Sequence, residues 1–185
     1  MPTAADALVL ARYARACIAS DLGGPDATAP QGDVFGEPGA TFVSLHWADG
    51  RLQGCIGSLE AHRPLADDVA RNARAAAFTD PRARSFEMHD LARLAVEVSI
   101  LSPLERVPFD DEAGACAALR PGVDGVVFVW RSQRATFIPQ MWAQLPEPAA
   151  FLAELKQKAG FAPDFWDHDV EIWRYTATTA IDPAA

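Results

Sequence analysis

From Ala4 to Ser20, apolar residues recur at Leu10, Ala14, Cys17 and Ile18, the spacing of a helix with one buried stripe. Thr3 with Asp6 three residues on is a short capping box for it. The chain from Leu22 to Ala40 is crowded with glycine and proline and predicts a mobile linker. Alternation then takes over: Thr41–Trp47 and Arg51–Ile56 read as strands joined by an Asp49-Gly50 hairpin turn. Pro64–Phe78 is the clearest helix, with proline in its first turn, Asp67 and Asp68 at the positive end of its dipole, and Leu65, Val69, Ala73 and Ala76 facing inward. A short helix over Met88–Leu91 leads to a strand over Ala95–Leu101, halted by Pro103. Asp110–Leu119 predicts a helix, and Val126–Trp130 with Ala135–Ile138 a second hairpin. Gln140–Leu145 predicts one helical turn, Phe151–Ala159 an amphipathic helix closed by Gly160, and Val170–Tyr175 a last strand before a frayed end.

Strands arriving as hairpins and singles, without a regular βαβ repeat, predict an α+β fold with mainly antiparallel sheet flanked by helices. A length of 185 residues suits one domain, or two small subdomains sharing a core. The expectation is one domain over 1–185 made of two closely packed subdomains, their boundary left open.

Parity sorts the first hairpin into faces. Val43, Leu45 and Trp47 share one face of the first strand, and Leu52 and Ile56 share one face of the second; these are the core side. Ser44 and His46 fall on the opposite face with Arg51, Gln53 and Cys55, and Phe42 is the apolar member there. With a two-residue turn at Asp49-Gly50, Ser44 lies opposite Cys55 and His46 opposite Gln53. His46 is then diagonal to the cysteine, roughly 7–8 Å away between backbones. Gly54 and Gly57 remove side chains beside Cys55 and Ile56, so that a ligand or another backbone can come close. Ser58–Arg63 joins this strand to a helix start, where backbone N–H groups suit an anion. The thiol has two open readings: a reactive or binding group, or a small residue packed under a covering helix.

Composition narrows the partners. A formal charge of −9 disfavours electrostatic binding to nucleic acid, which needs clustered Lys and Arg. No segment approaches the apolar length of a membrane span, and Asp6, Arg12 and Arg15 interrupt the first twenty residues, so neither signal peptide nor anchor is expected. A cytoplasmic protein without membrane contact is the default. Cys17, Cys55 and Cys116 form no CxxC pair, which argues against structural zinc and a disulfide framework. His46 and His62 bracket Cys55 without metal-motif spacing, and no metal is expected. No phosphate loop, dinucleotide fingerprint, nucleophile elbow or Ser-His-Asp arrangement is present, so no cofactor is expected either.

Several segments in order carry a resemblance: Phe42-Val43-Ser44-Leu45, Leu52-Gln53-Gly54-Cys55-Ile56-Gly57, Ala75-Ala76-Ala77-Phe78 with Asp80-Pro81-Arg82, and Glu97-Val98-Ser99-Ile100-Leu101. Arg120-Pro121-Gly122-Val123-Asp124-Gly125, Thr136-Phe137-Ile138-Pro139-Gln140, Lys158-Ala159-Gly160 and Trp166 continue it. Together they resemble the AMMECR domain family, whose prokaryotic members are called AmmeMemoRadiSam system protein A. The resemblance implies two subdomains with the signature loop near a groove between them, and partnership with Memo-like and radical-SAM proteins. It implies no reaction. This chain departs from the family pattern at Gln53, where a basic residue is usual, and at Ala83, where an aromatic is usual.

Two functional hypotheses follow. In the first, the protein is an accessory binding module whose LQGCIG-lined groove takes a small molecule or a partner peptide, with Gln53, Gly54, Ile56, Gly57, Arg82, Ser99 and Gln140 as ligand-binding residues. In the second, Cys55 is the nucleophile or redox centre of a thiol-dependent enzyme, His46 or Glu97 carries the proton, and Arg82 holds an anionic substrate. Glu97, off the core face of its strand, also has the alternative of fixing Arg82. The missing charge beside Cys55 and the lack of a second catalytic motif favour the module.

Overall fold

A computed structural model describes residues 2–184. Helix α1 (Ala4–Asp21) opens on the capping box read from the sequence: the Thr3 hydroxyl accepts from the Asp6 N–H at 3.2 Å, and the Asp6 carboxylate accepts from the Thr3 N–H at 2.7 Å. The expected linker is irregular and largely exposed over 23–32, but its second half is anchored. Helix α2 (Asp33–Gly36) buries Phe35 in the core, and β1 (Pro38–Gly39) precedes the long strand β2 (Thr41–Trp47). The chain continues through β3 (Leu52–Gly57), β4 (Arg63–Pro64, paired with β1), α3 (Leu65–Phe78), α4 (Met88–Leu91) and β5 (Leu94–Leu101). Next come β6 (Glu105–Arg106), α5 (Glu112–Ala118), β7 (Gly125–Trp130), β8 (Gln133–Phe137), a 3-10 turn over Pro139–Ala143, α6 (Pro148–Lys158), β9 (Glu171–Tyr175) and β10 (Ala177–Asp182). Sheets of antiparallel pairs flanked by helices make this the expected α+β fold.

The chain divides into two compact units, the first formed by 1–101 with 178–185 and the second by 102–177. The first unit holds a four-stranded sheet in the order β10-β5-β2-β3. Val43, Leu45, Val96 and Val98 project from β2 and β5 into a core closed by Leu10, Ala14 and Ile18 of α1 and Val69, Ala73 and Ala76 of α3. Each such side chain removed from water contributes about 1.5–3 kcal/mol, less for the alanines. The alanines matter for distance: they let α3 sit so close that a Cβ built on Gly54 would fall 2.1 Å from the Ala76 carbonyl oxygen.

The segment Ala177–Asp182 is not frayed. Strand β10 pairs along β5, and Arg15 of α1 secures it by binding the Asp182 carboxylate while donating to the carbonyls of Leu91 at 2.8 Å and Leu94 at 2.9 Å. A five-residue periodicity window could not reveal an edge strand whose faces are both mixed.

Asp68 is the other departure from expectation. It is not a solvated charge near a helix dipole but a fully buried hub. One carboxylate oxygen accepts from the Thr41 N–H at 2.9 Å, the Thr41 hydroxyl at 2.7 Å and Asn72 at 3.0 Å. The other accepts from Ser58 at 2.8 Å and Arg63 at 2.7 Å. The Ser58–Arg63 link thus spends the Ser58 and Arg63 side chains on Asp68, joining the start of β2 to α3.

In the second unit, the sheet runs β6-β9-β7-β8. Phe128 and Ile172 face Phe151, Leu152 and Leu155 of α6, and Trp142 stacks on Phe151 with ring centroids 3.8 Å apart. Asp124 is buried; it accepts from the Arg120 N–H and Nε, both at 2.9 Å, and its own carbonyl accepts from the Trp142 indole at 2.7 Å. Tyr175 fills the space at Gly125, where an added Cβ would lie 2.3 Å from the ring. The Arg120–Gly125 motif is therefore an exposed turn anchored at its end by buried Asp124 and Gly125.

Asp68→Ala leaves buried donors of Thr41 and Asn72 without an acceptor and should destabilise the protein by about 3 kcal/mol or more, measured by denaturant unfolding. A loss below about 0.5 kcal/mol, the level of an ordinary surface change, would contradict the hub.

Candidate functional site

The hairpin β2–β3 does not close with a two-residue turn. Trp47 N–H donates to the Arg51 carbonyl at 2.9 Å around a three-residue loop, Ala48–Gly50, with Gly50 in the left-handed region at φ 83°. The register therefore begins one residue off, with His46 opposite Leu52, and a bulge at Gln53 restores it, so that Leu45 meets Gly54 and Ser44 meets Cys55. The expected pairing of His46 with Gln53 is corrected by this loop. The pairing of Ser44 with Cys55 survives because two irregularities cancel.

The bulge also changes what Gln53 does. Alternation placed its side chain beside Cys55; in the structure it is 1% exposed, accepts from the Trp47 indole N–H at 3.0 Å and donates to the Arg84 carbonyl at 2.6 Å. Both ends of the amide are thus committed within the protein.

Cys55, Ser44 and Glu97 form a row across three strands, since Ser44 pairs with Cys55 on one side and Glu97 on the other. The Ser44 hydroxyl donates to the Cys55 sulfur at 3.1 Å. Burial pushes the thiol pKa up; the Ser44 bond and the Arg82 charge pull it down, and Asp80 and Glu97 push it up further, for a net rise. Burial likewise raises Glu97, against a downward pull from His46. One row on, Phe42 pairs with Ser99 and Gly57, and Ser99 shares a 2.8 Å hydrogen bond with Thr179 of β10.

The glycines do not hold open space. A Cβ on Gly57 would lie 2.3 Å from the Phe42 ring, which occupies that position, and Gly54 admits the backbone of α3. Ile56 packs against the core cluster. Of the predicted residues, the structure gathers Cys55, Glu97, His46 and Ser99 on one sheet face and Gly54 and Ile56 on the other. Gln140 belongs to the second unit, exposed in the 3-10 turn after Pro139.

Arg82 is bound by Asp80, not by Glu97. The Asp80 carboxylate is 4% exposed and accepts from the Arg82 N–H at 2.8 Å, Nε at 3.0 Å and Nη2 at 2.7 Å. It also accepts from the Cys55 N–H at 2.8 Å, while Arg82 Nη2 reaches the Cys55 carbonyl at 3.4 Å. Strand β3 is a sheet edge, and these two residues satisfy the outward-facing backbone groups that an edge leaves free. The Arg82 bonds, chiefly, hold the Asp80 carboxyl far below the usual carboxylate range.

Sequence reasoning missed Asp80, Trp47, Arg51 and Arg84. The last three line a cavity of about 250 Å³ together with Leu52, Gln53 and Arg82. The usable signal was the count of arginines near the hairpin, hidden by the overall negative charge. Among the described residues, the one group spaced to ligate a metal is Asp167-His168-Asp169 on the second unit, contiguous and largely exposed.

The AMMECR1 family model matches residues 11–180. The chain belongs to this family. A relative from Methanocaldococcus jannaschii, Protein MJ0810, is 33% identical over 170 residues, covering 90% of this chain and 85% of that one. One from Thermotoga maritima is 38% identical over 154 residues, covering 82% of each. The crystal structure of the uncharacterized protein PH0010 from Pyrococcus horikoshii superposes with a TM-score of 0.83 at 27% identity, covering 95% of both chains. No helix among the described residues is long and apolar enough to cross a membrane.

Asp80 has a folded pKa below its unfolded value of about 3.9, so its stabilisation is complete above about pH 4 and is lost as pH falls from there toward the folded pKa. Asp80→Asn should lower stability at neutral pH, and the gap from the parent protein should narrow progressively below about pH 4. A gap that stays constant from neutral pH to pH 2 would contradict the ion pair.

Proposed function

We propose that the protein is an accessory binding module, not a thiol-dependent enzyme, and that the LQGCIG hairpin with the loop clasped to it, Asp80–Arg84, forms the surface where a small molecule or partner peptide is held. The observation that carries this reading is the state of Cys55. Its pKa is raised rather than lowered, Ser44 is the group bonded to its sulfur, and its backbone serves the loop that follows α3. A nucleophilic thiol requires the opposite: a depressed pKa and a base in contact. Burial also raises Glu97, the acid in the row, but the hydrogen bond to the sulfur is made by Ser44 and not by that carboxylate.

Family membership supports association with Memo-like and radical-SAM proteins, in which this chain supplies recognition and the partner the chemistry. A cytoplasmic setting accords with that role.

The test is alkylation of the native protein by iodoacetamide across pH, resolved by cysteine. Cys55 should react more slowly at pH 7 than the same cysteine in the unfolded chain, and its rate should rise along a titration that lies above the ordinary thiol value of about 8.5. Rapid modification at neutral pH with a thiolate titration below about pH 7.5 would overturn the module reading in favour of the thiol enzyme.

A further inference from the structure

Beside the signature hairpin lies the 250 Å³ cavity lined by Trp47, Arg51, Leu52, Gln53, Arg82 and Arg84. Half of its lining residues are arginines and none is acidic, in a chain whose formal charge is −9. Arg51 is exposed, bound to Asp49 at 2.8 Å and set 5.9 Å from the Trp47 ring centroid. Arg82 is oriented by Asp80, yet its side chain remains 60% exposed. Arg84 is exposed, and among the described residues its guanidinium has no carboxylate partner. Asp49 and Asp80 each neutralise one of these guanidiniums in place, so the charge left over at the cavity is that of Arg84.

The wall is also preorganised. The loop carrying Arg82 and Arg84 is held to the hairpin at three points: Asp80 to the Cys55 N–H at 2.8 Å, Arg82 to the Cys55 carbonyl at 3.4 Å, and Gln53 to the Arg84 carbonyl at 2.6 Å. Of the guanidinium groups, Arg82's is the one these bonds hold; it loses little freedom on binding, and the planar fork of an arginine matches the geometry of a phosphoryl group bidentately.

We infer that this cavity is a binding site for a small phosphate monoester, the phosphoryl oxygens meeting Arg84 and Arg51 with Arg82 as the fixed side of the cradle. The volume falls under the roughly 300–1,000 Å³ of most small-molecule sites, which suits a phosphoryl group carrying a short organic part. A net charge of −9 on the chain disfavours polyanions such as nucleic acid, and a small cavity lined by arginines admits a compact dianion. This inference deepens the module reading and rests on it by naming the class of ligand held beside the hairpin.

The test is titration of the ¹⁵N-labelled full chain with phenyl phosphate, inorganic phosphate and acetate, following arginine Nε–H, Trp47 indole and backbone signals of 82–84. Phenyl phosphate should bind saturably with shifts confined to these residues, inorganic phosphate more weakly, and acetate weakest. Arg84→Ala should weaken phenyl phosphate at least about tenfold, as should Arg51→Ala, because each removes a charge-assisted donor. Arg12→Ala, an exposed arginine on α1, should leave binding unchanged. Absence of saturable shifts up to about 50 mM phosphate would overturn the inference, as would affinity unchanged in Arg84→Ala, or acetate binding as tightly as phenyl phosphate. Any of these results leaves the thiol reactivity of Cys55, and with it the module reading, to stand or fall separately.

Discussion

The sheet of the first unit ends on β3, and the site depends on how that edge is finished. An edge strand exposes N–H and C=O groups that would otherwise template pairing with another chain. Here the Asp80 carboxylate takes the Cys55 N–H and Arg82 takes the Cys55 carbonyl, while the two side chains hold each other. A buried carboxylate without such donors would be costly to ionise. With four N–H donors it stays charged well into acid, and the loop after α3 becomes a fixed extension of the sheet. That loop brings Arg82 and Arg84 to the hairpin, so the positive cavity exists because the edge is closed in this way.

The segments by which the family is recognised have structural work in this chain. Gly54 admits the helix backbone, Gly57 the Phe42 ring, and Asp80-Pro81-Arg82 closes the edge. Arg120–Gly125 is a turn organised by buried Asp124. Cys55 is small enough to sit on a crowded strand and gives its backbone, more than its sulfur, to the arrangement. The residues to which we assign binding chemistry, Arg51 and Arg84, lie outside those segments. A signature motif can therefore mark the frame of a site while its ligand-facing side chains lie beside it.

Much of the fold was legible because local pattern and packing agreed. The α1 and α3 stripes, the alternation of β2 and β5, and the Thr3–Asp6 cap follow from 3.6- and 2-residue periods. The face of the sulfur was legible too, since alternation within β2 and β3 fixes it near Ser44. What failed depends on contacts distant in sequence. Nothing near Asp68 announces that Thr41, Ser58, Arg63 and Asn72 will converge on it. The three-residue loop and the bulge at Gln53 offset each other, so the pairing of Cys55 came out right while Gln53 itself was misplaced. Glycines beside a cysteine carry the same letters whether a ligand or a phenyl ring fills the space.

The claim under all of this is that Asp80 holds the backbone of Cys55. Amide hydrogen exchange at Cys55 measures that bond directly. The account predicts a strongly protected Cys55 amide in the native protein, with protection lost in Asp80→Ala, which removes the acceptor, while Val43 and Val98 amides, inside the sheet, stay slow. A Cys55 amide that exchanges in the parent protein as fast as an exposed strand edge would contradict it.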